Sequence, residues 1–502
     1  MSFASAMRAA VADSADPDAL ADLASHALKE GEEEQALPLI ARALQRVPTA
    51  QLWQWKGLLE RSLDEHREAL ESFRAAARLD PDDAIIAHGL ARVALEAGVP
   101  AEKPYEQARA LAPTDGSVLV GLAAARLAAG RGEKAEAELD AALLRSPLWI
   151  EGHDQLAQLR SMLGRPQQAA ASLERALAAM PDQVRLWQAL FELRVKSEDF
   201  AGLDAAVAAA RHLLAEQSPG PMYEAIAASE LGLSERADRL FEQVGSGRDD
   251  PLVVWRIRHL LRSGRVEQAI SVIDRELDGP RAAAIWPYAD IAWRLAGDAR
   301  RNWLECGGKL VAVFDLKGKL PPLDRLSDVL RSIHKARGEY LDQSLRGGTQ
   351  TDGPLFSRIE PEIRALREAV VEAIETYVAQ LPPPDPAHPL LRHRRDRRIR
   401  FAGSWSVRLK EVGFHVSHVH PQGWVSSALY IALPPSAGPE SKWGWLQIGE
   451  PRPELGVGLE PSTYVRPEPG RLVLFPSWMW HGTIPFPAGE RLTVAFDVAV
   501  PR

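Results

Sequence analysis

Cysteine is nearly missing from this chain. Cys306 stands alone in 502 residues, which rules out an intrachain disulfide and fits a reducing compartment, so a cytoplasmic location is expected. Long apolar runs are missing too. Nothing approaches the roughly 18 consecutive apolar residues of a membrane span. The start, Met1-Ser-Phe-Ala-Ser-Ala-Met-Arg-Ala-Ala10, lacks a basic start followed by the long apolar core of a signal peptide; no membrane association is expected. Nor is there an excess of positive charge. The 60 Lys and Arg against 68 Asp and Glu give a net charge of -8, which argues against a general grip on nucleic acid.

What is present falls into parts, since a chain of this length exceeds one ordinary core. Leu and Ala dominate the first 300 residues, and aromatic, Pro and Gly density rises afterwards. Within 1–300 a turn residue recurs at Gly31, Asp64, Gly98, Gly130, Gly164, Glu198, Gly232, Gly264 and Gly297, in steps of 32 to 34. Ala follows five residues after most of them (Ala36, Ala69, Ala135, Ala169, Ala237, Ala269), and Pro48, Pro81, Pro113, Pro147 and Pro181 close units. This is the tetratricopeptide period, two helices per unit stacking into a superhelix with a concave face. The pattern weakens at Lys196-Ser-Glu-Asp-Phe200 and after Pro251. Such an array either recruits a peptide or protein substrate or partner, or acts as a dimerisation arm or spacer, which leaves a homo-oligomer open. Trp53, Trp55, Trp149, Trp187 and Trp255 either line a groove or fill the core.

Residues 301–340 read as a connecting helical segment, and 341–502 as a β-rich domain. Gln343 to Phe356, with Gly347-Gly348, reads as a loop packing over a site; Arg346, Thr349 and Gln350 are candidates to touch substrate. It lacks the Gly-Lys-Ser/Thr ending of a nucleotide-binding loop. Glu360 to Leu381 is an amphipathic helix with Ile363, Leu366, Val370, Ile374 and Val378 on one face, expected to cover one side of a barrel. The basic run Arg392-His-Arg-Arg-Asp-Arg-Arg398 reads first as a solvated face and second as a contact for an acidic peptide or nucleic acid. Strands then alternate from Ile399 to Val500, broken by Pro434-Pro-Ser-Ala-Gly438 and by the Glu450-to-Glu460 loop.

Chemistry concentrates in Gly413-Phe-His-Val-Ser-His-Val-His-Pro421 and Phe475-Pro-Ser-Trp-Met-Trp-His481. His418 and His420 are two apart in a run that reads as a strand, so both imidazoles project to one face. His481 ends another apolar run, and Arg491 opens a third, Leu492-Thr-Val-Ala-Phe496. A strand-borne pair of ligands, a distant third and a cationic anchor suit a metal-dependent oxygenase with an acidic co-substrate. His415, three before His418, faces away on a regular strand and reads as a non-ligand, unless a bulge changes its facing.

Together with Ser404-Trp-Ser-Val-Arg-Leu409, Ser426-Ser-Ala-Leu-Tyr-Ile431, Gly470-Arg-Leu-Val-Leu-Phe475 and Glu490-Arg-Leu-Thr-Val-Ala-Phe-Asp497, these segments resemble the 2-oxoglutarate/Fe(II) oxygenases that carry tetratricopeptide repeats. The resemblance is close over about the last third of the chain. It implies an N-terminal all-α superhelix followed by a double-stranded β-helix of jelly-roll or cupin-like form, with Fe(II) in its mouth. Carried over, the metal ligands fall on His418, His420 and His481. Arg491 takes the far carboxylate of 2-oxoglutarate, with Thr493 beside it and Tyr430 and Trp424 at the pocket or its rim. The usual triad is two His and one carboxylate, whereas His420 holds the acid position here. Either three imidazoles bind the iron or a carboxylate arrives from elsewhere; Asp497 is the nearest downstream acid and a poor candidate. The spacing Gly470-x5-Pro476-x4-His481 also echoes the cupins. The activity implied is a dioxygenase hydroxylating a peptide or protein held by the repeats. The alternatives are an inactive repeat scaffold and a cupin-type metal enzyme that does not use 2-oxoglutarate.

Overall fold

The computed structural model describes residues 2–501 apart from 14–15, 215–218, 246–249 and 436–440. Part of the expected strand break at Pro434 to Gly438 therefore lies outside the described residues. Among these, no helix is long and apolar enough to cross a membrane.

Helical hairpins fill the N-terminal half. All nine recurrent turn residues have positive φ, from 55° at Glu198 and 60° at Asp64 to 82° at Gly164. One residue in the left-handed region reverses the chain between the two helices of a unit, and glycine does this without a Cβ clash. Ala36, Ala69, Ala135, Ala237 and Ala269 are at most 1% exposed; their small side chains let paired helices approach closely. Prolines stop the second helix, and a cap starts the next. Thr49 Oγ1 accepts from Leu52 N, and Asp83 Oδ1 from Ile85 N and Ile86 N. The units at Lys196 and beyond Pro251 keep the same hairpin form, with helices Val184–Lys196, Phe200–Leu214, Val253–Arg262 and Val266–Glu276.

The C-terminal half is an antiparallel double sheet. Among the described residues, nine strands run as β1 Ala312–Asp315, β2 Leu345–Gln350, β3 Phe401–His415, β4 Gly423–Ala432, β5 Leu446–Ile448, β6 Thr463–Val465, β7 Arg471–Pro476, β8 His481–Thr483 and β9 Glu490–Ala499. The larger sheet has the order β1-β7-β4-β9-β3-β2 and the smaller β6-β5-β8. Helix Pro361–Gln380 buries its expected apolar face, Ile363, Leu366, Val370 and Ile374 being fully buried. It shares one core with Leu429, Leu472, Leu474, Val494 and Phe496 from β4, β7 and β9. Two expectations need correction. The segment 301–340 is not wholly helical: Ala312–Asp315 pairs with β7 at the sheet edge. The Gln343-to-Phe356 stretch is not a loop throughout, because β2 pairs with β3 across a bulge between Arg346 and Gly348. Gly348 is there for close approach, since a Cβ would lie 2.5 Å from Arg408 O.

The two halves are joined along the turn edge of the superhelix. The basic run is only in part a solvated face: Arg392, Arg394, Asp396 and Arg398 are exposed, but its end reaches the repeats. Arg397 pairs with Glu32, Arg398 with Glu65 at 2.9 Å, and the next arginine, Arg400, with Glu33 at 2.6 Å. Further along, Arg367 lies 3.5 Å from Asp64, and Ile359 N donates to Ala97 O. Arg337 N and Gly338 N both donate to Met162 O, and Glu198 pairs with Arg452 at 2.5 Å. Arg262 donates to Glu454 O and Arg294 to Gly449 O and Glu460 O. The turn edge of the superhelix thus carries the β-domain.

Candidate metal centre

His418 and His420 do not sit inside a strand. β3 ends at His415, and His418 instead forms an isolated antiparallel bridge with His481, donating its N–H to His481 O at 2.9 Å and accepting from His481 N at 3.0 Å. Pro421, with no N–H, allows no further ladder. The outcome of the expected i, i+2 geometry survives by another route: ligand atoms of His418, His420 and His481 all lie within 4.8 Å of one another.

Each imidazole is held by its Nδ1. His418 Nδ1 lies 2.8 Å from Val416 O, His481 Nδ1 3.0 Å from Met479 O, and His420 Nδ1 2.7 Å from Asp497 Oδ2. Carbonyl and carboxylate oxygens only accept, so each Nδ1 carries the proton and each Nε2 offers its lone pair. Burial, then neighbouring imidazoles, pushes His481 down to about 3 and His418 well below its ordinary value, keeping both neutral and ready to ligate. Asp497 is thus the oxygen partner of His420. Its other oxygen accepts from Ser426 Oγ at 2.6 Å, and Ser426 Oγ lies 2.9 Å from Ser477 Oγ. Trp405 stacks on the His420 ring at 5.7 Å and 10°. His415 is not among the three convergent histidines, yet it does not face away. The bulged end of β3, with Val412 at φ 56°, turns its ring to within 5.8 Å of His418, and Ser344 Oγ holds its Nδ1 at 3.1 Å.

Arg491, Thr493 and Asp497 alternate along β9 onto one face, and the register sets Thr493 opposite Tyr430 and Asp497 opposite Ser426. Arg491 is 2% exposed, and among the described residues no carboxylate pairs with it. Its guanidinium lies 5.1 Å from the Tyr430 ring centre and interacts with that side chain, while among the described residues Arg491 Nε and Tyr430 Oη meet no partner at hydrogen-bonding geometry. A buried cation beside an unused hydroxyl fits a bound carboxylate. Of the other candidates, Gln350 lines the cavity in front of the histidines. Thr349 instead bonds His334, Arg346 turns to Glu198, and Trp424 is buried behind the sheet with Nε1 on Leu390 O. That cavity, about 590 Å3, is also walled by repeat residues, Glu198, Arg258 and Tyr288, which the sequence reading did not find.

The chain thus joins an all-α array of tetratricopeptide-type hairpins to a C-terminal antiparallel double sheet of jelly-roll or cupin-like form that carries this centre. Residues 403–497 match the family described as "Putative 2OG-Fe(II) oxygenase", and residues 50–83 match the tetratricopeptide repeat family. Solved structures similar to the helical half include YrrB, described as a TPR protein with an unusual peptide-binding site (17% identity, 36% of this chain, 95% of that one, TM-score 0.29). A tetratricopeptide repeat protein from Parabacteroides merdae ATCC 43184 is 14% identical (45% of this chain, 89% of that one, TM-score 0.32). MamA from Desulfovibrio magneticus RS-1 is 18% identical (34% and 98%, TM-score 0.30). Comparison with curated proteins gives no match.

Proposed function

We propose that the protein is a cytoplasmic Fe(II)- and 2-oxoglutarate-dependent dioxygenase that hydroxylates a peptide or protein. The observation that carries this reading is the convergence of ligand atoms of three histidines within 4.8 Å of one another, in a domain that also buries Arg491 with no carboxylate partner among the described residues. His418, His420 and His481 would hold the iron. Arg491, with Tyr430 and Thr493, would take the far carboxylate of the co-substrate. When bound, the iron and 2-oxoglutarate together supply oxidative decarboxylation coupled to hydroxylation of an unactivated C–H bond. The chain's own residues do the rest. Asp497 fixes the tautomer of His420 and returns some of the negative charge that a carboxylate ligand would have brought. Phe475, 4.7 Å from the His481 ring, and Trp405 wall the imidazoles from water.

The test is anaerobic titration of the purified protein with Fe(II) and 2-oxoglutarate, followed by the weak visible metal-to-ligand charge-transfer band. We expect a band that is absent in His481→Ala. Bound iron with no band would favour a cupin-type metal enzyme, and no bound iron would favour a scaffold.

A further inference from the structure

The cavity before the histidines is bounded on two sides by different halves of the chain. Glu198, Arg258 and Tyr288 come from three different repeat hairpins, while Trp405, His418 and His420 come from the β-domain. The joint is tight. Trp480 Nε1, one residue before a metal-site histidine, donates to Pro287 O at 3.0 Å, and its ring meets Tyr288 edge-on at 5.6 Å. Glu198 holds φ 55° at a turn position that is glycine in seven of nine units. A left-handed non-glycine residue costs roughly 1–2 kcal/mol, and here its carboxylate reaches Arg452 across the cleft at 2.5 Å.

The polar groups of the cleft describe its ligand. Both arginines are already paired: Arg258 with Glu230 through two hydrogen bonds of 3.0 and 2.8 Å, and Arg452 with Glu198. Among the described lining residues, no free cation is left for a phosphate or another anion. Gln343, Gln350 and Gln422 line the same cavity, and none of their carboxamides is hydrogen-bonded to the described residues. A carboxamide meets a peptide N–H and C=O at once, and an extended chain repeats those groups about every 3.3 Å. Asp342, also on the wall, makes no salt bridge with the described residues and has φ 56°; the cations whose charge reaches its carboxyl, Lys196 and Arg452, are already bridged to Asp154 and Glu198.

We infer that the repeats form the outer wall of the substrate site, and that this composite cleft binds an extended peptide segment carrying a basic residue, with Asp342 as its counter-charge. The inference rests on the histidine triad being the reaction centre, but its test does not use turnover.

The measurement is fluorescence anisotropy on full-length, metal-free protein with two labelled pools of short synthetic peptides. One pool has Lys or Arg fixed at the centre, and the other Asp or Glu. The expected result is that the basic pool binds about tenfold more tightly, and that Asp342→Asn removes most of that preference. Asn keeps the left-handed backbone, so folding is preserved. Tyr288→Ala and Gln422→Ala should each weaken the basic pool severalfold with little change of preference. Equal binding of both pools, preference retained in Asp342→Asn, or binding of neither pool overturns the inference. A missing charge-transfer band with peptide binding intact would instead remove the oxygenase reading alone.

Discussion

A guanidinium inside a protein without a carboxylate is a standing cost, and Arg491 carries it. Burial lowers its pKa, yet it stays charged at any ordinary pH. Arg491→Leu should therefore raise the thermal stability of the ligand-free protein by about 1–2 kcal/mol while abolishing stabilisation by added 2-oxoglutarate. Differential scanning with and without the co-substrate checks both; a lower melting point in the free variant would show that the cation is already compensated. The arginine is legible in sequence because it opens an apolar strand ten residues after His481. The role of Asp497 is not, because nothing in the linear spacing shows that β9 returns it, through its register with Ser426, to the far nitrogen of His420.

At the level of elements, periodicity locates what has a long, regular face, and local composition misleads where backbone approaches backbone. Helix Pro361–Gln380 follows from five apolar residues at helical spacing. β2 is hidden by Gly347-Gly348, a pair that signals a turn in sequence but here admits Arg408 O into the ladder. Gly348→Val should break that pairing, since the Cβ would lie 2.5 Å from Arg408 O and 3.0 Å from Leu409 Cα, backbone atoms that cannot swing aside. We expect a loss of about 2–3 kcal/mol and faster amide exchange over 345–350 than over β9, read by mass spectrometry. Unchanged exchange would show that β2 tolerates the side chain. The His418 and His420 pair is legible as residues but not as an element. A bridge of one residue pair to His481 has no run of sequence long enough to announce it.

For the whole molecule, the arginines of 397–400 decide how the halves hold together. Glu33 is 1% exposed; burial alone would raise its carboxyl, but hydrogen bonds from Arg400 and Ser62 outweigh this and hold it below its ordinary value. The sign follows. Stability from this pair is present above the unfolded carboxylate pKa and is lost as pH falls through the depressed folded value. Arg400→Ala leaves that carboxylate buried without a cation and should cost about 3 kcal/mol at neutral pH. The cost should shrink on acidification, as Glu33 in the variant takes up its proton. Urea melts at neutral and mildly acidic pH measure the difference; a cost independent of pH would assign the effect to packing. The basic run's role lies beyond local reading, because its partners are more than 300 residues away.

Solenoid arrays ordinarily lengthen or shorten by whole units without harm, because each unit meets only its neighbours. This one meets a second body at turn after turn, from Glu32 to Arg294. It behaves as a gauge whose marks must coincide with those of the β-domain. Deleting the single unit 165–198 would put a glycine, Gly164 or Gly232, where Glu198 now meets Arg452, and would slide every contact on one side of the cut by one notch. The number of repeats is set here by the length of the partner they are measured against.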